Sequence, residues 1–428
     1  MKVTGIIAEY NPFHNGHQYQ YRQIRNNTDT DYIVVVMNGD FMQRGEPAIL
    51  NKYDRTHMAL EEGADLVIEL PVFYGTGSAE YFAAGGIYLL QALGCIDRVC
   101  FGCEYNDLSV LSDIATIYSD EQPDFRNYLN KSLKEGNSYP KARTNALLQY
   151  SKEHGIILPD GIEKELSKPN NVLAIEYLKT LQKLSSDIKA YPIKRVGQDY
   201  HACERPDSDN NHLGSASAIR SVYADRSFRT PDSVMPSIEP LLPEASIRIL
   251  TDAYGKYAPL SMDDFYPFIR YLLLTNEHPL TDYLDISEDL ANRMESIYQP
   301  ELSYSEYVDA IINKQYTRTR IMRCLLHILL GITKPFAVEQ KDSAKVPYAR
   351  ILGFRKESSG LLTAIREQGD LIVIQKVKDA LDSFRINNPS AAALLQLDIR
   401  AAHLYEQICC QTYHSTIHNE YTQGMIIL

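Results

Sequence analysis

The sequence predicts an α/β protein, in which a parallel sheet covered by helices is followed by a mainly α-helical C-terminal region. Three observations predict it. Short, continuous apolar runs recur through the first hundred residues, as in strands buried on both faces. Segments of helical length separate them, which implies right-handed strand–helix–strand crossovers. Beyond about residue 240 the pattern is mainly helical.

In chain order, "VTGIIAEY" (3–10), "YIVVVMNG" (32–39), "DLVIELP" (65–71) and "RVCFGCE" (98–104) are the expected strands. "GHQYQYRQIR", "NKYDRTHMALEEG" and "SAEYFAAGGIYLLQALG" lie between them, the second with Asn51 as N-cap and Gly63 as stop. Residues 107–185 form a helical region. Within it Pro169 suits a helix start, and Ile175, Leu178, Leu181 and Leu184 recur every three residues as one buried face. "AYPIKRVG" (190–197) is a further strand and "SASAIRSVY" (215–223) a capped helix start. "SFRTPDSVMPSIEP" has the composition of a linker. "DLIVIQKV" (370–377) suits an isolated strand or small α/β element, and "ALLQLDIRAAHLY" (393–405) a packed helix. The expected domains are 1–228 and 229–428.

With 428 residues, 44% hydrophobic and 23% charged, the chain has the composition of a soluble globular protein of two or three domains. Its net charge of -12 confines any nucleic-acid site to a local basic patch. Seven irregularly spaced cysteines fit a reducing cytoplasm. "CFGC" (Cys100 to Cys103) lacks a second pair at ligand spacing, so these are taken as strand-end residues and no metal site is expected. No run of eighteen apolar residues offers a membrane span, and Glu9 breaks the N-terminal apolar stretch that a signal peptide would need.

The chemistry concentrates after the first strand, in "NPFHNGH" (11–17). Ligands bind open parallel sheets beyond the carboxyl ends of strands. A helix starting near Gly16 would aim free N–H groups and its positive dipole end there, favouring phosphate. His14 and His17 can present imidazole donors to one anion, best where charge grows on phosphoryl oxygens. Neither a Walker lysine nor G-x-G-x-x-G is present, which excludes the P-loop and the common dinucleotide fingerprint. In "SASAIR", Ser215, Ser217 and Arg220 suit β- and γ-phosphates, although Arg220 also suits an ordinary surface position. "MNGDFMQRGEP" (37–47) suits either a plain long βα loop or, with Gly39, Gln43, Arg44 and Gly45 beside the first strand's end, a wall of the ligand site. Lys52 and Arg55 suit either phosphate contact or a solvated helix face. Asn170 and Asn171 also suit a helix cap and turn. Lys314, Arg318, Arg320 and Arg323, with Tyr316, form a basic cluster suited to an RNA backbone or to a solvated helix face; Arg350, Arg355 and Lys356 form a second.

"FHNGH" matches the H-x-G-H signature of HIGH-type nucleotidyltransferases, and "SASAIR" resembles their later Ser/Thr-rich motif. The ordered set "IIAEYNPFHNGHQYQ", "VMNGDFMQRGEPAI", "GADLVIELP", "FGCE", "KPNNVLAIEYLK" and "IKRVGQDYH" resembles the bacterial tRNA(Met) cytidine acetate ligase family, related to the DUF795 proteins. The match extends more loosely into "YTRTRIMRCLLHILLGI", "ARILGFRK" and "LDIRAAHLY". Asp40 departs from the Asn or His expected there. The resemblance implies a Rossmann-like nucleotidyltransferase domain (1–228) and a probable tRNA-binding C-terminal region (229–428). It implies that acetate attacks the α-phosphorus of ATP, giving acetyl-adenylate, and that the N4 amine of the wobble cytidine of elongator tRNA(Met) takes the acetyl group. The carried-over ATP-binding residues are Ile7, Ala8, Glu9, Tyr10, Asn11, Pro12, Phe13, His14, Asn15, Gly16, His17, Gln18, Tyr19, Gln20, Gly102, Asn170 or Asn171, and Arg195, with His14 and His17 catalytic. Mg²⁺ is expected with ATP. Acetate and tRNA(Met) are the expected partners, with no membrane and no obligate protein partner. The alternative is a nucleotidyltransferase that builds a dinucleotide cofactor of the NAD or CoA pathway. A third reading, a non-catalytic nucleotide-binding scaffold, has no need of the transition-state donors His14 and His17.

Overall fold

The computed structural model describes residues 1–195, 215–275, 278–343, 345–416 and 418–428. Val196 to His201, the end of "IKRVGQDYH", lie outside the described residues. Among the described residues eight strands build one sheet: β1 (Val3–Ala8), β2 (Tyr32–Asn38), β3 (Leu66–Leu70), β4 (Arg98–Cys103), β5 (Lys189–Lys194), β6 (Tyr348–Phe354), β7 (Ile372–Ile374) and β8 (Ile426–Ile427). Their order is β5-β4-β1-β2-β3-β6-β7, with β8 on β6. The first five strands are mutually parallel, and β6 runs antiparallel to β3.

The helices that position the site are α1 (Asn15–Asn27), α2 (Lys52–Glu61), α3 (Ala79–Ala92), α4 (Pro169–Lys183), α5 (Ala216–Tyr223), α6 (Arg318–Leu330) and α7 (Pro389–Tyr413). The β1 to β3 crossovers proceed to one side of β1, and β4 and β5 lie on the other. Connections on opposite sides of β1 therefore leave a crevice at the carboxyl ends of β1 and β4, the switch point at which doubly wound sheets bind ligands.

The strands form where continuous apolar runs can be covered on both faces. Ile33, Val34, Val35, Val36 and Met37 of β2 are all buried. Each such side chain contributes about 1.5–3 kcal/mol relative to exposure. The buried thiols of Cys100 and Cys103 belong to β4, and burial pushes them up to about 12 and about 11, away from the thiolate that redox or metal chemistry needs.

The C-terminal part differs from expectation in two places. "SFRTPDSVMPSIEP" is packed chain, with a short helix at Pro231–Val234 and 3₁₀ turns at Met235–Ser237 and Glu239–Leu241. Val234, Met235, Ile238 and Leu241 are buried beside Ile219 and Tyr223, so its apolar side chains outweigh the turn-forming prolines. "DLIVIQKV" is not isolated either: β7 pairs with β6, which pairs with β3. Strands from beyond residue 229 thus extend the N-terminal sheet.

Candidate functional site

A cavity of about 260 Å³ opens at the switch point. Its floor is the end of β1 and the start of α1, with Ile7, Ala8, Glu9, Tyr10, Asn11, His14, Gly16, His17, Tyr19 and Gln20 among its lining residues. The turn after β1 is strained. Tyr10 takes φ 46°, a left-handed conformation costing a non-glycine residue of order 1–3 kcal/mol. Burial of its ring and a 2.8 Å hydrogen bond between the Tyr10 and Tyr21 hydroxyls fasten the turn to α1.

His14 is the N-cap of α1. Its Nδ1 accepts the Gly16 N–H at 3.0 Å, while the His14 N–H donates to Nδ1 of His17 at 3.2 Å. The two rings stack with centroids 3.8 Å apart. With both Nδ1 atoms accepting, a neutral ring must carry its proton on Nε2. Burial, with the nearby Arg195 and Arg220 cations, holds the His14 imidazole down at about 3, and burial and His14 hold His17 well below the ordinary histidine range. Both are therefore neutral Nε2–H donors at physiological pH. Gly16 makes this packing possible, because a Cβ there would come within 2.8 Å of the His14 ring.

The other walls come from distant segments. β4 and β5 supply Phe101, Gly102, Ile193, Lys194 and Arg195, and α4 supplies Asn170, Leu173 and Tyr177. Phe82 enters from α3, and Gln43 and Arg44 from the loop after β2. Ser215, Ser217 and Arg220 close the cavity from α5. Arg220 donates to the Asn11 carbonyl at 3.0 Å and to Ser217 Oγ at 3.3 Å, and pairs with Glu46 at 3.0 Å. Ser215 caps α5 by accepting the Ala218 N–H. Among the described residues no ion pair joins Arg195 to a carboxylate.

The two asparagines separate. Asn171 is fully buried, its Oδ1 accepting the Glu104 and Tyr105 N–H groups and its Nδ2 donating to the Glu165 carbonyl. It shapes the loop after β4 and does not line the cavity. Asn170 does, and donates to Glu104. Pro12, Phe13, Asn15 and Gln18 also stand outside the lining: Phe13 is core, Asn15 donates to the Pro240 carbonyl, and Gln18 donates to Glu62. The sequence pattern had not marked Phe82, Phe101, Leu173, Tyr177, Ile193 or Lys194 as site residues. The aromatic and aliphatic ones carry the same signal as any core residue.

Lys52, Arg55 and Arg350 belong neither to phosphate contact nor to a basic surface. Lys52 and Arg350 are buried among Glu69, Glu420 and Tyr53, with Lys52 2.8 Å from Glu69 and 2.7 Å from Glu420, and Arg350 3.0 Å from Glu69 and 2.5 Å from Glu420. Arg55, also buried, donates to the carbonyls of Leu50, Glu9, Asn38 and Gly39. Asp40 accepts the Lys52 N–H at the start of α2.

In α6 and the turn before it, Lys314 and Arg318 are exposed, the latter bonded to Asp309 and Ser305. Arg320 turns to the Asp285 carbonyl and the Tyr316 ring, and Arg323 lies 4.0 Å from the Asp285 carboxylate. The backbone of α6 meets the loop after β2 at Gly45. There φ is +80° and a Cβ would fall 2.5 Å from Arg323 N, so only glycine fits without displacement. Among the described residues no three or more His, Cys, Asp or Glu side chains are grouped to hold a metal, and no helix is long and apolar enough to cross a membrane.

Residues 1–420 match the family model described as HIGH Nucleotidyl Transferase. A protein of Acetivibrio thermocellus named tRNA(Met) cytidine acetate ligase is 37% identical over 431 residues, covering 100% of both chains. One of the same name from Caldicellulosiruptor saccharolyticus is 36% identical over 429 residues, covering 100% of this chain and 99% of its own. The fold is similar to the crystal structure of Thermotoga maritima TmcAL bound with alpha-thio ATP, with TM-score 0.89, 29% identity and full coverage of both chains. The apo form of that protein gives TM-score 0.91.

Proposed function

The chain belongs to the HIGH nucleotidyl transferase family, among the tRNA(Met) cytidine acetate ligases, and from that premise we propose that it is an ATP-dependent ligase acetylating N4 of the wobble cytidine of elongator tRNA(Met). The observation that carries the reading is the pair of neutral imidazoles at the N-terminus of α1, with both Nδ1 atoms occupied. Their Nε2–H groups are donors for an anion that develops charge during displacement.

In this mechanism an acetate oxygen attacks the α-phosphorus of ATP and pyrophosphate leaves. His14 and His17 stabilise the phosphoryl oxygens through fixed donors, without proton transfer. Arg220, Ser217 and the capped start of α5 hold the β- and γ-phosphates. Gly102, Asn170 and Arg195 hold the nucleotide on the β4–β5 side, Asn170 being favoured over Asn171 by its place in the wall. Mg²⁺ would supply charge neutralisation through the phosphate oxygens, since the described residues offer no cage of their own. The amine of the cytidine then attacks the acetyl carbonyl, and AMP leaves. Residues 229–428 would bind the tRNA, with Lys314 and Arg318 as exposed cations, and the work belongs in the cytoplasm with its substrate.

The test is ATP–pyrophosphate exchange by the purified chain, with and without acetate, before and after adding tRNA(Met). Acetate-dependent exchange is expected. No exchange at any acetate concentration, with or without tRNA(Met), would overturn the reading in favour of a dinucleotide-forming transferase, which adenylylates only its own nucleotide acceptor.

A further inference from the structure

A carboxylate in the wall of a cavity for a polyanion repels its ligand, so its presence calls for a chemical reason. Glu9 is such a group. It is half-buried just beyond β1, and Oε1 accepts the Gln43 N–H at 2.7 Å. That is the one hydrogen bond of its carboxylate among the described residues. Arg44 and Glu46 of the loop after β2, Arg220 of α5 and Tyr177 of α4 surround it electrostatically. Burial pushes its carboxyl up, against the lowering pull of the Gln43 N–H and Arg220.

The cavity also has two sides. Gly102, Asn170 and Arg195 stand on the β4–β5 side, and Glu9, Gln43 and Arg44 on the β2 side. With the nucleotide on the first side, the acceptor enters from the second. Resting on the ligase reading above, we propose that Glu9 is the general base for acetyl transfer, taking the proton that the cytidine amine loses as it attacks acetyl-adenylate.

The step balances. The amine nitrogen bonds to the acetyl carbon, and the bond from that carbon to the phosphate oxygen of AMP breaks. One N–H proton passes to the Glu9 carboxylate and then to water. The first half-reaction makes no such demand, because acetate arrives ionised and pyrophosphate leaves as an anion. A carboxyl raised by burial is a stronger base for proton abstraction than an ordinary glutamate.

The experiment compares the wild-type chain with Glu9→Gln, which keeps an oxygen for the Gln43 N–H. Two rates are measured: acetate-dependent ATP–pyrophosphate exchange, and single-turnover transfer from preformed acetyl-adenylate to tRNA(Met) across pH. The expected result is a loss of about 10²–10⁴-fold in transfer with a far smaller loss in exchange. Wild-type transfer should rise with pH to a plateau, and the variant should lose that rise. Glu9→Asp should recover part of the transfer rate. Transfer by Glu9→Gln as fast as wild type would overturn the proposal. So would equal losses in both rates, which would assign Glu9 to nucleotide binding or folding. A wild-type chain that performs neither half-reaction would instead sink the ligase reading, and this proposal with it.

Discussion

Two groups of basic side chains gather near the carboxyl ends of the strands, and they meet opposite fates. His14, His17, Arg195 and Arg220 line a cavity, whereas Lys52, Arg55 and Arg350 are sealed in the interior. In the sealed group every cation has internal partners: two glutamates for Lys52 and Arg350, and main-chain carbonyls for Arg55. In the cavity, among the described residues, Arg195 has no carboxylate partner, the imidazoles spend only their Nδ1 atoms on the backbone, and Arg220 alone of the four pairs with a carboxylate, that of Glu46. A desolvated cation with matched countercharge fastens the fold. A donor whose countercharge is missing is ready for a ligand.

The largest effect should come from breaking the sealed group. Lys52→Met removes one cation from a site where Glu69 and Glu420 remain, so stability should fall by about 3–5 kcal/mol. Urea unfolding measures it, and exchange per folded molecule should be preserved. Acid probes the same cluster. Burial pushes the Glu420 carboxyl up, but Lys52 and Arg350 prevail and hold it down at about 2, against an ordinary 4.5. A depressed carboxyl stabilises the fold above its unfolded value. That contribution should fade as pH falls from about 4.5 towards 2, because the unfolded chain takes up the proton first.

The cavity should respond in rate rather than stability. His14→Asn retains a good N-cap for α1 but removes the Nε2–H donor. Acetate-dependent exchange should fall about 10²–10³-fold, with little change in thermal midpoint. A large drop in midpoint would recast His14 as a structural cap. Because the folded-state imidazole titrates at about 3 rather than 6.5, ATP affinity should show no histidine titration near pH 6.5. Stability should decline as pH falls through the window from 6.5 to 3, since only the unfolded chain accepts that proton. Arg195→Ala should have a smaller effect, raising the KM for ATP about tenfold, as expected for one lost charged contact. Equal losses in KM and stability would move Arg195 into the fastening class.

This contrast also sets what the sequence could disclose. The strands of the first hundred residues were legible because buried parallel strands are continuous apolar runs. The histidine pair was legible because its partners are local: the turn after β1, Gly16 and the start of α1. Lys52 and Arg350 were not, because partners of both are remote, and Arg55 was not, because main-chain carbonyls leave no residue-type signal. Lys52 meets Glu420, 368 residues away, and no local pattern encodes that pairing. The same holds for "ARILGFRK", whose basic ends disguised β6. Asn170 and Asn171 were inseparable in sequence because only the third dimension decides which one turns inward at the start of α4.

The smallest effect tests whether the comparison extends to the proposed tRNA-binding region. Lys314 is exposed and has no ion pair among the described residues, and Arg318 is exposed although bonded to Asp309. Arg323 is largely enclosed against Asp285. If exposed cations bind the RNA backbone, Lys314→Ala and Arg318→Ala should each weaken tRNA binding about two- to threefold and reduce the salt slope by about 0.7–0.9. Arg318 should lose less than Lys314, since Asp309 already neutralises part of its charge. Arg323→Ala should leave the salt slope unchanged and lower stability instead, because its partner is internal and its backbone supports the Gly45 loop. Binding titrations at several salt concentrations separate these outcomes. A slope lost with Arg323 rather than with Lys314 would mean that the Asp285 contact opens when RNA arrives, and the distinction between fastening and waiting cations would then hold only for the free protein.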